Sequence, residues 1–116
     1  MSSKTNVNVL QQPNSGPYYI TVDDMYLRPS KGAVILEWDL ATGGWEFPSN
    51  GITIDSDPNA VFTSLGASGE GSKKFKINDK NSDTSTYKYT VRVQPTANPA
   101  GLISLDPYIV NSGVSL

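Results

Sequence analysis

The sequence lacks both cysteine and histidine. Without cysteine there is no disulfide framework, no thiolate metal site and no thiol nucleophile. Without histidine the chain is missing the usual general base near neutral pH, the second member of most nucleophile triads and the commonest metal ligand. We therefore expect a protein that is not an enzyme, with no catalytic residue, no metal site and no cofactor.

Long apolar runs and a strong excess of one charge are also missing. No stretch approaches the roughly 20 apolar residues of a membrane-spanning helix. A net charge of −2 gives no electrostatic reason to expect nucleic acid or an anionic membrane as a partner. The first eight residues are polar and contain no apolar core of a secretory signal. This predicts a cytoplasmic location, although the mature form of an exported protein would look the same.

The length and punctuation of the chain favour one domain. A chain of 116 residues is near the commonest domain size and can bury a self-sufficient core. Residues that favour turns (Gly, Pro, Asn, Asp and Ser) recur at short intervals, and no shift in composition divides the chain. We expect a single domain over residues 1–116.

Segment 87–94 has the clearest structural pattern. Large apolar residues at positions 87, 89, 91 and 93 alternate with polar ones. This period of two is typical of a β-strand with one buried and one solvated face. Similar alternation recurs elsewhere, and no window has the apolar spacing of an amphipathic helix. The chain is predicted to be all-β.

We predict seven or eight short antiparallel strands that form a two-sheet sandwich, because each apolar face needs a second sheet to cover it. The first strand is expected to be edge-like, two others to be interrupted at 48–51 and at Asp106-Pro107, and the glycine-rich stretch 66–72 to be a surface loop. The predicted segments are 5–10, 18–22, 33–39, 45–54, 61–62, 74–78, 87–94 and 102–110. The predicted core contains Val34, Leu36, Trp38, Phe75, Ile77, Tyr87, Tyr89, Val91 and Val93.

One local pattern points to a finer fold class. Asp83-x-Ser85-x-Tyr87-x-Tyr89 resembles the tyrosine corner of immunoglobulin-like sandwiches, in which a hydroxyl bonds back to nearby backbone. Trp38 on an earlier strand is compatible with the central tryptophan of those domains. The pattern predicts an immunoglobulin-like Greek-key sandwich, with the hydroxyl of Tyr87 bonded to upstream backbone.

Trp45 and Phe47 are the candidate ligand-binding residues. They lie on a short segment between Gly43-Gly44 and Pro48, where an exposed aromatic ring can stack on a sugar or anchor a partner chain. Burial of both rings at one end of the sandwich is the favoured alternative.

Polar and glycine-rich segments suggest two further sites, each with a simpler interpretation. Asp55-x-Asp57-x-Asn59 has the opening spacing of a calcium loop but lacks the later glycine and glutamate, so a solvated turn is favoured. Segment 66–73 resembles a phosphate-binding loop, but its order is Gly-Ser-Lys and a strand follows, so a surface loop is favoured.

Lysines concentrate at positions 73, 74, 76 and 80. A basic patch for an acidic ligand is one interpretation. The favoured alternative is the solvated face of an edge strand, where lysine discourages association between sheets.

The C-terminal segment Leu105-Asp106-Pro107-Tyr108-Ile109-Val110-Asn111 resembles the ending of the DP-EP family, small bacterial β-sandwich proteins of uncharacterised function. Trp45-Glu46-Phe47, then Gly51-Ile52, and the alternating strand at 87–93 are similar in order to that family. A family of small bacterial inclusion-body proteins has a similar Asp-Pro ending. Either resemblance implies a bacterial source, an all-β fold and no known enzymatic activity.

The leading functional hypothesis is a non-catalytic module that associates with itself or binds a protein partner. An open sandwich offers exposed strand edges for such contacts. A carbohydrate-binding module that uses Trp45 is the alternative. Carboxylates for glycoside chemistry are present, but the sequence gives no means of pairing two of them across a bond.

Overall fold

A computed structural model describes residues 2–113 and confirms the all-β prediction, with eleven strands and no α-helix in that range. The strands are β1 (Ser2–Gln11), β2 (Tyr18–Val22), β3 (Tyr26–Leu27), β4 (Val34–Leu40), β5 (Trp45–Glu46), β6 (Ile52–Ile54), β7 (Phe62–Ser68), β8 (Lys74–Asp79), β9 (Thr86–Pro95), β10 (Ile103–Leu105) and β11 (Tyr108–Val110). The number exceeds the prediction because two predicted strands are each divided and β3 was not predicted.

The first sheet has the strand order β2-β1-β4-β8-β7. Its pairs are antiparallel except for β1 and β4, which run parallel. The prediction that the first strand is edge-like is wrong, because β1 lies between β2 and β4. Its alternating residues Val7 and Val9 are buried as a strand inside the sheet requires. The edges of this sheet are β2 and β7.

The second sheet is built along β9. β5 and β6 pair with one side of β9, β10 and β11 pair with the other, and β3 runs parallel to β11. The predicted interruption at Asp106-Pro107 is confirmed: the strand keeps one register with β9 on both sides of it. The N–H of Tyr89 donates to the carbonyl of Pro107 at 2.9 Å across the break. The carboxylate of Asp106 lies 2.9 Å from the hydroxyl of Thr90 on β9.

One hydrophobic core lies between the two sheets, and all nine residues predicted for it are buried. Trp38 from the first sheet and Tyr89 from the second meet there, with ring centroids 5.4 Å apart. The indole Nε1 of Trp38 donates to the hydroxyl of Tyr89 at 3.2 Å. Burial of each such side chain stabilises the fold by roughly 1.5–3 kcal/mol. The two mixed sheets therefore form a sandwich-like arrangement.

Asn81, on the loop from β8 to β9, ties the end of the chain to the sandwich. Its side-chain amide donates to the carbonyls of Ser30 and Gly32 at 2.6 and 3.0 Å, and lies 3.2 Å from the hydroxyl of Ser112. Its side-chain oxygen accepts the N–H groups of Ser112 and Gly113 at 2.8 and 3.2 Å. Asn81 adopts a positive φ of 51°, which asparagine tolerates better than most residues.

The glycine-rich stretch was predicted incorrectly. The structure extends the short apolar piece at 61–62 into the seven-residue strand β7, which includes Gly66 and pairs with β8. Only the end of the predicted loop remains outside, with a 3₁₀ turn at Glu70–Ser72. As a result β8 is an inner strand, with β7 on one side and β4 on the other.

Candidate functional site

A groove opens between β6, in the second sheet, and β7, in the first. Its volume is about 360 Å³. Apolar side chains from three strands and polar side chains from the adjoining turns form its lining. The lining residues are Ser49, Asn50, Ile52, Thr53, Ile54, Asp57, Phe62, Ser64 and Ile77.

The two strands that border the groove, β6 and β7, are each at the edge of a sheet. Within residues 2–113, β6 pairs with β9 and with no other strand, and β7 pairs with β8 alone. The unpaired side of an edge strand presents N–H and C=O groups that a further strand can bind. The groove therefore combines apolar lining with two open strand edges.

The pairing pattern identifies which backbone groups of β7 face outward. The N–H of Lys80 donates to the carbonyl of Val61 at 3.0 Å. Hydrogen-bonded and non-hydrogen-bonded pairs alternate along an antiparallel ladder, so the backbone groups of Phe62 and Ser64 point away from β8. The N–H of Phe62 is taken by the carboxylate of Asp57 at 2.9 Å. Ser64 is the next residue with outward-pointing backbone groups.

Asp57 serves as the anchor of a turn. One of its oxygens accepts the N–H of Phe62 and the other accepts the N–H of Val61, also at 2.9 Å. Asp55 turns towards β9, where its carboxylate lies 2.9 Å from the hydroxyl of Thr90 and shares that single donor with Asp106. The favoured interpretation of segment 55–59 as a turn is therefore confirmed. Over residues 2–113, no group of three or more acidic side chains is arranged to hold a metal ion.

The open edge of β7 carries little protection. The strand contains no charged residue and no proline, which are common guards of exposed sheet edges. Its one protective feature is a bulge: the register with β8 shifts between Ser64 and Gly66, and the side chain of Leu65 is 52% exposed. A bulge twists an edge locally and interrupts regular pairing.

Trp45 and Phe47, the predicted ligand-binding residues, are both in the core. Trp45 is 8% exposed and Phe47 is 2% exposed, so the burial favoured as an alternative is confirmed. The ring of Tyr18 packs edge-on against Trp45 at 5.2 Å, and Phe47 packs against Phe75 at 5.9 Å. Neither ring lines the groove, and neither presents the open face that stacking on a ligand requires.

The lysine cluster is divided among separate contacts. Lys74 and Lys76, on the outer face of β8, lie within 3.4–3.6 Å of carboxylate oxygens of Glu37 and Asp39 on β4. Lys73 instead donates to two main-chain carbonyls, that of Thr42 in the turn between β4 and β5 and that of Trp45 at the start of β5. The expectation of lysines on an edge strand is wrong because β8 is an inner strand. The charges of Lys74 and Lys76 are matched by neighbouring carboxylates, so these two lysines do not form an unopposed basic patch.

The tyrosine-corner pattern forms a hydrogen bond between two side chains, those of Tyr87 and Asp83. The hydroxyl of Tyr87 donates to the carboxylate of Asp83, four residues upstream, rather than to backbone as predicted. This hydrogen bond, together with burial, raises the pKa of Tyr87 to about 12. The N–H of Ser85 donates to the same carboxylate at 3.2 Å. Asp83 therefore anchors the start of β9.

The groove residues were not identified as a site from the sequence. Segments 52–54 and 61–62 were predicted as strand, but nothing in their alternation shows that they belong to different sheets. The chain crosses from one sheet to the other between them, and this crossing places the two edges side by side. Only the pairing partners of β6 and β7 contain that information.

Comparisons with known proteins give no relative: no protein-family model matches the chain, and no curated protein matches it. In the described part of the chain, no helix has the length and hydrophobicity needed to cross a membrane.

Proposed function

We propose that the chain is a non-catalytic protein-binding module, which accepts an extended segment of a partner chain in the groove between β6 and β7. One observation carries the proposal: two unpaired strand edges border a groove with an apolar lining. An extended peptide can add a strand to such an edge, with main-chain hydrogen bonds giving affinity and pockets for alternate side chains giving specificity.

The lining of the groove defines the chemistry of the segment. Four apolar residues, Ile52, Ile54, Phe62 and Ile77, favour apolar side chains at alternate positions of the bound peptide. The charged residue of the lining is Asp57, at the end where β7 begins. A lysine or arginine is therefore favoured at the corresponding end of the peptide.

The bulge in β7 favours a flexible peptide over a second copy of the chain. Two folded edges must both be regular over several residues to pair, and the register shift at Leu65 interrupts that regularity. An extended peptide can bend to follow the edge. Self-association through β7 remains the outcome to be distinguished by experiment.

The test is selection of peptides from a random linear display library, followed by affinity measurement with labelled peptides. Ser64→Lys places a charge beside the outward-facing groups of β7. Thr21→Lys makes the same change on β2, the opposite edge of the same sheet. We expect Ser64→Lys to weaken binding by about tenfold or more, equivalent to about 1.4 kcal/mol, and Thr21→Lys to leave it unchanged.

Several outcomes oppose the proposal. It fails if no peptide is selected, if both variants bind as tightly as the unmodified protein, or if the selected peptides lack alternating apolar residues. Sedimentation over a range of protein concentrations tests whether the chain forms a dimer. If it does, and Ser64→Lys dissociates the dimer, the occupant of the groove is a second copy of this chain and not a peptide.

The remaining proposals follow from the sequence. The absence of cysteine and histidine supports a role without catalysis. A cytoplasmic location stays a prediction. Membership of the DP-EP family stays a prediction based on the Asp106-Pro107 ending. An immunoglobulin-like Greek-key fold is supported by the contact of Trp38 with Tyr89. The sugar-binding alternative has little support, since the ring of Trp45 is covered.

A further inference from the structure

A group of polar side chains is buried where β8 and β11 end and β9 begins, outside the groove lining. Asp79, the last residue of β8, is 0% exposed, and Asn111, directly after β11, is 2% exposed. Burial of a carboxylate is unfavourable unless its charge is paired or it takes up a proton. The hydrogen bonds around Asp79 indicate which of these occurs.

Only one of the two carboxylate oxygens of Asp79 accepts hydrogen bonds from the described residues. Its Oδ1 accepts the N–H of Asn81 at 2.8 Å and the side-chain amide of Asn111 at 3.2 Å. The same amide nitrogen donates to Oδ1 of Asp83 at 3.2 Å, so both of its hydrogens are used. In the described residues, Oδ2 of Asp79 and Oδ1 of Asn111 are buried and have no hydrogen-bond partner.

We propose that Asp79 is protonated in the folded protein and forms a cyclic carboxylic acid–amide pair with Asn111. The amide hydrogen that reaches Oδ1 of Asp79 is already one half of this ring. A proton taken from solvent onto Oδ2 supplies the other half, by donation to Oδ1 of Asn111. A single proton thus satisfies both unpartnered oxygens and removes the buried charge.

The charged groups that face Asp79 are carboxylates, and they disfavour a negative charge on Asp79. Asp83 lies on the loop from β8 to β9, and Asp57 lies on the connection from β6 to β7; both carboxylates disfavour ionisation of Asp79. Asn81 and Asn111 donate hydrogen bonds to Asp79, and Phe62 of β7 and Val34 of β4 pair with it in the strand register. Burial is the largest cause that raises the pKa of Asp79, against the lowering effect of the two hydrogen bonds.

Asp83, next in the cluster, has a pKa that is shifted in the opposite direction. Burial alone would raise the pKa of Asp83, but hydrogen bonds from Tyr87, Asn111 and the N–H of Ser85 outweigh it, and its pKa is lowered. The pKa of one carboxyl is therefore raised and that of its neighbour is lowered. The amide of Asn111 bridges the two, with its carbonyl accepting from the acid and its nitrogen donating to the carboxylate.

The pair makes the fold sensitive to rising pH. A group whose pKa is higher in the folded state than in the unfolded state contributes its full stability below the unfolded value, and that contribution is lost as pH rises through the folded value. The unfolded value of an aspartate is about 3.9. Above it, and up to the raised folded value, the unfolding equilibrium constant is expected to increase by up to tenfold per pH unit through this group.

Two measurements test the protonation state. A pH titration of the carboxyl carbon of Asp79 by ¹³C NMR reads its pKa directly in the unmodified protein. Chemical unfolding over the same pH range compares Asp79→Asn, which keeps an amide donor in place of the acid proton, with Asp83→Asn, the matched change at the charged neighbour. We expect titration of Asp79 above 3.8, no increase in the unfolding constant from this group in Asp79→Asn, and retention of that increase in Asp83→Asn.

A titration of Asp79 at or below 3.8, or an unchanged pH dependence in Asp79→Asn, would overturn the proposal. Calcium chloride provides the other decisive arm. If it raises the unfolding midpoint of the unmodified protein but not that of Asp79→Asn, the two unpartnered oxygens hold a cation and the protonated pair is refuted. If Asp79→Asn does not fold, the NMR titration still decides the question.

Discussion

Replacement of Asn81 by alanine removes the side chain that joins the β8–β9 loop to two other parts of the fold. The two amide hydrogens of Asn81 have three acceptors within 3.2 Å, so they complete two hydrogen bonds, and its oxygen accepts two more. Four hydrogen bonds at about 1 kcal/mol each give a loss of about 4 kcal/mol. Alanine at the positive φ of this position adds roughly 1 kcal/mol.

The loss is large against the total stability of a small domain, about 5–15 kcal/mol. Urea unfolding followed by tryptophan fluorescence measures it, because Trp38 and Trp45 are both buried and report on the core. Asn81→Gly tests the backbone contribution: it loses the same hydrogen bonds but accepts the positive φ, so its destabilisation should be smaller by about 1 kcal/mol.

Asn78→Ala, on the outer face of β8, is the matched control and should change stability by less than about 1 kcal/mol. The reasoning is refuted if Asn81→Ala is destabilised by no more than this control. Loss of order only at the chain end, with an unchanged unfolding midpoint, would also contradict it.

Three further predictions concern single interactions. Tyr89→Phe leaves the indole N–H of Trp38 without its acceptor, and urea unfolding should show a loss of about 1–3 kcal/mol. Glu37→Gln removes pairs with three lysines at 3.5–3.8 Å, but these are partly exposed, so the loss should stay below about 1 kcal/mol and disappear in roughly 1 M salt. Burial raises the pKa of Asp83, but hydrogen bonds from Tyr87 and other donors lower it overall. Asp83 therefore contributes stability above pH 3.8 that is lost on acidification. Acid unfolding of Asp83→Asn should therefore be less steep than that of the unmodified protein.

The sequence predicts strands well where apolar and polar residues alternate clearly. It predicts the position of a strand within a sheet less well, because that position depends on pairing with distant residues. Segment 87–94 alternates without a break, and its apolar residues are in the core as expected. Most of the length of β7 was missed because Ser64, Gly66 and Ala67 carry no apolar pattern, yet backbone pairing with β8 is enough to form a strand. The parallel pairing of β1 with β4 joins residues about 33 positions apart in sequence, which local periodicity does not encode.

The candidate site shows the same limit. Tryptophan is a residue type that often binds ligands, which made Trp45 a candidate. Its exposure depends on whether Tyr18 covers it, and this contact crosses between sheets. The groove arises because β6 and β7 are edge strands of different sheets, a property of the topology rather than of any motif. Asp57 was identified from its spacing, and a solvated turn was the favoured interpretation, but its hydrogen bonds to Val61 and Phe62 were not predicted.

Hydrogen–deuterium exchange with and without a saturating selected peptide tests the binding of an extended segment most directly. The account predicts slower exchange at Ser64 and at neighbouring amides of β7 and β6 when peptide is bound, with exchange along β2 unchanged. Protection that appears at β2, or binding without any protection at β7 and β6, would contradict it.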